Sequence, residues 1–166
     1  FKDLSMLGIT NRIPRILGVQ STGCQPFVTA SESGGVLVEC EEDTIADSIA
    51  VGIPRNPIKA QRAVNASDGA WIAVSDTEIL AMMKTLGSTE GIFGEPAGVA
   101  GLAGLKAAVE RKIVRPDERV VCVMTGNGLK DPANAGKAVG TPALLKPDLL
   151  ELIDYMNRKN DKGCVR

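Results

Sequence analysis

Val120-Val121-Cys122-Val123-Met124-Thr125-Gly126-Asn127-Gly128-Leu129-Lys130-Asp131-Pro132 is the stretch that decides how this chain is read. Its first half is a run of β-branched and apolar residues, the pattern of a strand buried on both faces. It then breaks at once into Thr-Gly-Asn-Gly. Two closely spaced glycines permit a tight turn and let a ligand approach the backbone. A hydroxyl at the carboxyl end of a buried strand sits where open α/β sheets place their ligands. On pattern alone, an ordinary strand followed by a glycine turn explains the stretch equally well.

Working upstream, Glu90 to Gly98 suggests a short strand at Ile92-Phe93 and a helix opening at Pro96. That helix is rich in small residues: Ala97, Gly98, Ala100, Gly101, Ala103 and Gly104. Such a surface allows close packing on a sheet, despite about 1 kcal/mol of lost propensity per glycine. Glu95, at the helix N-terminus, is favourable to the dipole, and a structural role suffices for it. Ala70 to Val74 reads as a strand, and Ser75 with Glu78 as a capping box. The helix behind it carries Ile79, Leu80, Met82, Met83 and Leu86 on its apolar face. At this spacing the two methionines are core filler rather than a soft-metal site. Pro57 opens another helix through Ile58, Ala60, Ala63 and Val64, stopping near Ser67-Asp68-Gly69. Arg55 lies in the turn before it. It reads as a solvated arginine, with bidentate contact to an anion as the functional alternative. Thr44 and Asp47 predict a capping-box-like start for a short helix through Ile49 and Val51.

The first forty residues give an amphipathic helix from Phe1 to Gly8 and a buried strand from Arg15 to Ser21. A turn and a short helical or irregular piece follow. Glu32 to Asp43 is a polar connection with room for a short strand at Val36 to Val38. Downstream of the deciding stretch, residues 133–142 read as a Gly/Ala-rich loop, Pro147 to Met156 as a helix, and Asn157 to Arg166 as a frayed polar tail. Strands alternating with helices predict a three-layer α/β/α fold with a mostly parallel sheet, forming one domain over 1–166.

Composition narrows the function. A net charge of −1 gives no electrostatic case for nucleic acid or an anionic membrane, and 3% aromatic content leaves few base-stacking platforms. No apolar run is long enough to span a bilayer, and no signal peptide is visible. The four cysteines, Cys24, Cys40, Cys122 and Cys164, form no CxxC pair and the chain has no histidine, so no metal site is expected. Cys122 reads as a small core residue. A reduced, cytoplasmic protein fits these features.

Val-Met-Thr-Gly-Asn-Gly-Leu-Lys-Asp-Pro resembles the late motif of threonine synthases, pyridoxal-phosphate enzymes of fold type II. Phe-Lys-Asp-Leu with Pro-Arg-Ile-Leu-Gly-Val-Gln, the segment Thr-Ile-Ala-Asp-Ser-Ile-Ala-Val, and Glu-Gly-Ile-Phe-Gly-Glu-Pro-Ala-Gly resemble further fold-type-II segments. The resemblance runs from Phe1 to about Pro132. It implies pyridoxal 5'-phosphate as cofactor, with the Thr125 hydroxyl on the pyridine nitrogen and Gly126 and Gly128 shaping the turn. The commoner family form has His where this chain has Asn127.

The resemblance also implies a small amino-acid substrate. O-phosphohomoserine and water become threonine and phosphate in a homodimeric parent enzyme. The family's glycine-rich phosphate loop and Schiff-base lysine are expected upstream of Phe1, in an N-terminal half that this chain does not contain. The chain is therefore expected to be the C-terminal portion of a longer protein, and inactive alone. Lys130 aligns with the ordinary lysine of the Gly-Leu-Lys-Asp-Pro motif, so no catalytic residue is assigned. Two alternatives stand beside this reading. One is another fold-type-II lyase, such as a threonine dehydratase or a phosphoserine-using paralogue. The other is a non-catalytic domain that completes a partner.

Overall fold

Two short stretches pair to form the sheet at the centre of the fold. Leu17–Ser21 (β1) and Ala70–Val74 (β2) pair in parallel, with Val19 opposite Ile72 and Ser21 opposite Val74. The computed structural model describes residues 1–163. Parallel neighbours need a long crossover. Here it contains the helix Pro26–Glu32 (α2), an irregular run broken by one tight helical turn at Asp47–Ile49, and the helix Pro57–Ala66 (α3).

The period-2 alternation of the strands separates two faces. Gly18, Gln20, Trp71 and Ala73 share one. There Phe27 of α2 stacks on Trp71, with ring centroids 4.3 Å apart. Gln20 Oε1 accepts the backbone amides of Phe27 (2.9 Å) and Val28 (3.1 Å), so this buried side chain satisfies donors at the start of α2. Gly18 leaves room for the indole, since a Cβ there would lie 2.3 Å from the Trp71 ring.

Val19, Ile72 and Val74 share the other face, which is covered by Pro96–Glu110 (α5). The small residues of α5 bring its backbone close to the sheet: Gly104 rides directly on the Val19 methyls, and Ala100, Ala103, Ala107 and Ala108 are buried. Helices thus lie on both faces of the sheet, giving the expected three layers. Asp76–Glu90 (α4) packs beside α5 and starts with the predicted capping box. Ser75 Oγ accepts from Glu78 N at 3.2 Å, and Ser75 N donates to Glu78 Oε2 at 2.7 Å. Met83 and Leu86 join Val99 in a second apolar cluster, with Met82 packed between the two cores.

Several expectations are corrected. Val120 to Val123 forms no strand and is not buried on both faces. Cys122 and Met124 are half-buried, whereas Val121 is 87% exposed and Val123 69%. The segment is extended over α5 without a paired neighbour among the described residues, so the same alternation buries one side only. Cys122 is accordingly half-buried rather than core. No strand forms at Val36 to Val38 or at Ile92-Phe93, although Gly94 bridges to Asn127. Thr44 does not cap a helix: its hydroxyl hydrogen-bonds Asp76, and it accepts from Ala46 N at 3.1 Å, leaving only the short turn Asp47–Ile49.

Residues 133–139 are not a loop, and only 140–142 of the expected loop remain irregular. Pro132–Val139 is a helix (α6), because Asp131 accepts from Asn134 N at 3.0 Å and Pro132 presets the first turn. The final helix, Leu149–Gly163 (α7), takes in most of the expected tail. The rest of that tail, residues 164–166, lies outside the described residues. At the other end, Lys2–Met6 (α1) closes near Gly8 at φ 71°, but Phe1 and Leu7 of its apolar face are exposed.

Candidate functional site

The Thr125 turn is built against the N-terminus of α5. Glu95 N donates to Gly126 O at 3.1 Å, and Gly128 N donates to Phe93 O at 3.0 Å. These two bonds fasten the turn to the chain just before the helix. The glycines are needed for this approach. A Cβ on Gly126 would stand 1.8 Å from Glu95 Oε1, and one on Gly128 would stand 2.3 Å from the Phe93 ring. From the helix side, a Cβ on Gly98 would lie 2.8 Å from both the nitrogen and the oxygen of Gly126. Three glycines therefore share one interface, where a Cβ would meet the Glu95 side chain, the Phe93 ring or the Gly126 backbone.

The side chains of Glu95, Asn127, Lys130 and Asp131 around the turn are paired. Glu95 is a buried carboxylate, with its side chain 6% exposed, and Lys130 Nζ reaches its two oxygens at 3.1 Å and 2.9 Å. The hydrogen bond and the charge of Glu95 push the Lys130 ammonium pKa up. Asn127 Oδ1 accepts from Leu129 N at 2.9 Å and so caps the short helical turn Gly128–Lys130. Asp131 is held below the usual carboxylate range by its bonds to Asn134. Thr125 remains exposed at the head of this assembly.

Sequence reasoning singled out Thr125, Gly126 and Gly128, and the structure brings them together with Glu95. It missed the partnership of Glu95 with Lys130. The two are 35 residues apart, and periodicity carries no signal at that separation. It also missed Asp76, whose carboxylate accepts from Ser21 Oγ (3.2 Å), the Thr44 hydroxyl and Ile45 N (2.9 Å). Asp76 ties the end of β1, the crossover and the start of α4 into one corner. The acid at the first position of a capped helix was the available clue. Arg55 is exposed on a groove with Glu39, Glu41 and Glu42, an acidic setting that disfavours an anion.

Comparison with known proteins places this geometry in a family. The model of the pyridoxal-phosphate dependent enzymes matches residues 2–126. The threonine synthase of Methanocaldococcus jannaschii is 39% identical over 151 residues, which are 90% of this chain and 37% of that protein. The threonine synthase of Methanosarcina acetivorans is 42% identical over 134 residues, 80% of this chain and 33% of that protein. The chain thus spans about a third of the length of these relatives. The structure of maize serine racemase superposes with a TM-score of 0.59 at 21% identity, covering 94% of this chain and 42% of that one. With the family model spanning most of its length and the parallel-sheet fold shared, the chain belongs to the pyridoxal-phosphate dependent enzymes of fold type II.

Proposed function

We propose that this chain supplies the pyridine side of a threonine synthase-like active site, where O-phosphohomoserine and water become threonine and phosphate. The observation that carries the reading is the Thr125 hydroxyl. It is exposed on a turn whose backbone is fixed by Glu95 and Phe93 and whose neighbouring polar side chains are already paired. The residues fit the ring end of pyridoxal phosphate on the chemistry of the donor. A neutral hydroxyl can donate to an aromatic nitrogen without a charge that favours its protonation. When bound, pyridoxal phosphate supplies the electron sink for breaking bonds at the substrate's α-carbon.

The chain's own residues then have separate tasks. Thr125 orients the ring and keeps its nitrogen uncharged, which moderates carbanion stabilisation and suits elimination and replacement at the β and γ carbons. Gly126 and Gly128 let the turn lie flat on α5. The ion pair with Lys130 compensates the buried Glu95 charge that the turn packs against. That pairing also occupies Lys130, in keeping with its assignment as an ordinary motif lysine. No proton-transfer step falls to this chain, which acts as one domain over its whole length.

The test uses the protein at its natural length, loaded with pyridoxal phosphate and given O-phosphohomoserine. Threonine and phosphate should appear in equal amounts. Ammonia released from threonine or serine, without threonine formation from O-phosphohomoserine, would overturn the reading in favour of a dehydratase.

A further inference from the structure

Away from the Thr125 turn, two sulfurs face each other. Cys24 lies just past the end of β1 and is 1% exposed. Cys40 lies in the irregular crossover and is half-buried. Their Sγ atoms are 3.8 Å apart across sixteen residues of sequence. The backbone holds the two strips together independently of the sulfurs. Asp43 N donates to Gly23 O at 3.0 Å, and a Cβ on Gly23 would collide with Asp43 O. Gly52 N donates to Glu42 Oε1 at 2.7 Å, closing the far side of the Cys40 strip. Neither thiol has a task in the proposed chemistry.

We infer that Cys24 and Cys40 form an oxidative modification site, closing an intramolecular disulfide when the protein meets a hydroperoxide. The geometry divides the roles. Cys40 borders an open groove with Glu39, Glu41, Glu42 and Arg55, so an oxidant can reach it. Cys24 is sealed from solvent and can react only with Cys40. Burial pushes the Cys24 thiol pKa up, and the neighbouring Cys40 and Glu42 act in the same direction, so it stays protonated and inert until a partner is oxidised.

The Cys40 sulfur attacks the peroxide O–O bond and gives up its thiol proton, forming the sulfenic acid and releasing water. Cys24 sulfur then displaces the sulfenic oxygen as water while its thiol proton is lost. Overall, two thiols are oxidised and one peroxide is reduced to two waters. The sulfurs must close to about 2.05 Å, a movement within reach of the irregular segment that carries Cys40. The acidic groove sides favour a small neutral oxidant over an anionic disulfide.

This site is independent of the cofactor reading and is tested by mass. Trypsin leaves both cysteines on one peptide, Ile16–Arg55, because no lysine or arginine intervenes. The natural-length protein is treated with hydrogen peroxide, alkylated under denaturing conditions and digested. The expected peptide is two hydrogens lighter than the thiol form and unalkylated, and it accepts two alkyl groups only after reduction. The melting temperature of the oxidised protein should rise, because the closed loop restricts the unfolded chain. In the Cys24→Ser variant, Cys40 should stop at the sulfenic acid, captured by dimedone. Wild-type peptide carrying two alkyl groups, or Cys40 driven to sulfinic acid with Cys24 free, would overturn the proposal.

Discussion

Helix α5 offers one chemical change in three surroundings: glycine to alanine at 98, 101 and 104. Each gains up to about 1 kcal/mol in helix propensity, less at Gly98, which lies in the first turn. What differs is what the new methyl meets. At Gly101 it would lie 3.5 Å from Cys122 Sγ, an ordinary contact, so Gly101→Ala should stabilise by about 0.5–1 kcal/mol. At Gly104 it would lie 2.3 Å and 2.6 Å from the Val19 methyls. Overpacking costs about 1–3 kcal/mol, so Gly104→Ala should destabilise by about 1–2 kcal/mol net. At Gly98 the obstacle is the backbone of Gly126, with nitrogen and oxygen both at 2.8 Å, which no rotamer change relieves. A similar net loss is expected, but here the Thr125 turn itself must move. Urea unfolding of the three variants reads the order. Gly98→Ala should melt about 4–8 °C below Gly101→Ala, from a difference of about 2 kcal/mol. Gly98→Ala should also weaken pyridoxal phosphate binding, whereas Gly104→Ala should affect stability alone. A Gly98→Ala protein as stable as Gly101→Ala would refute the packing of the turn on α5.

Other expectations follow from single contacts. Ser75→Ala removes the cap of α4 and should cost about 1 kcal/mol in unfolding experiments. Glu78 is held below its usual pKa by hydrogen bonds from Ser75. A depressed folded-state value means that its contribution is present above the unfolded pKa, near 4.3, and is lost as the pH falls through the folded value. Glu78→Gln should therefore flatten the acid limb of a stability-against-pH curve relative to wild type. Asp76→Ala deprives Ser21, Thr44 and Ile45 of their acceptor and should lower stability by about 2–3 kcal/mol. Lys130→Met leaves the buried Glu95 carboxylate without its cation, so the chemical-denaturation midpoint should fall, and Glu95→Gln in the same chain should restore much of the loss.

Local chemistry made much of this fold legible. Ser75 and Glu78 marked the start of α4, Pro57 and Pro96 opened helices where their fixed φ fits, and Ala70 to Val74 was a strand as read. What failed depended on distant neighbours. Val120 to Val123 has the composition of a central strand, yet burial is set by what lies alongside, and on one side of it no described residue does. Thr44 carried a plausible capping pattern, but Asp76, 32 residues away, made a better partner for its hydroxyl. The start of α6, by contrast, has a local signal: Asp131 caps Asn134 N and Pro132 opens the first turn. The candidate site divides the same way. Thr-Gly-Asn-Gly identified the turn, whereas the reason for its glycines, the packing of Gly98, Glu95 and Phe93 on it, lies outside the motif.

The central claim is that the Thr125 hydroxyl meets the pyridine nitrogen. It is tested most directly by nuclear magnetic resonance of pyridoxal phosphate isotopically labelled at that nitrogen, bound to the natural-length protein. The wild-type resonance should report an unprotonated, hydrogen-bonded nitrogen, and Thr125→Asp should move it to the protonated range because a carboxylate favours the charged ring. A resonance that is the same in wild type and Thr125→Asp, with cofactor bound in both, would contradict the account.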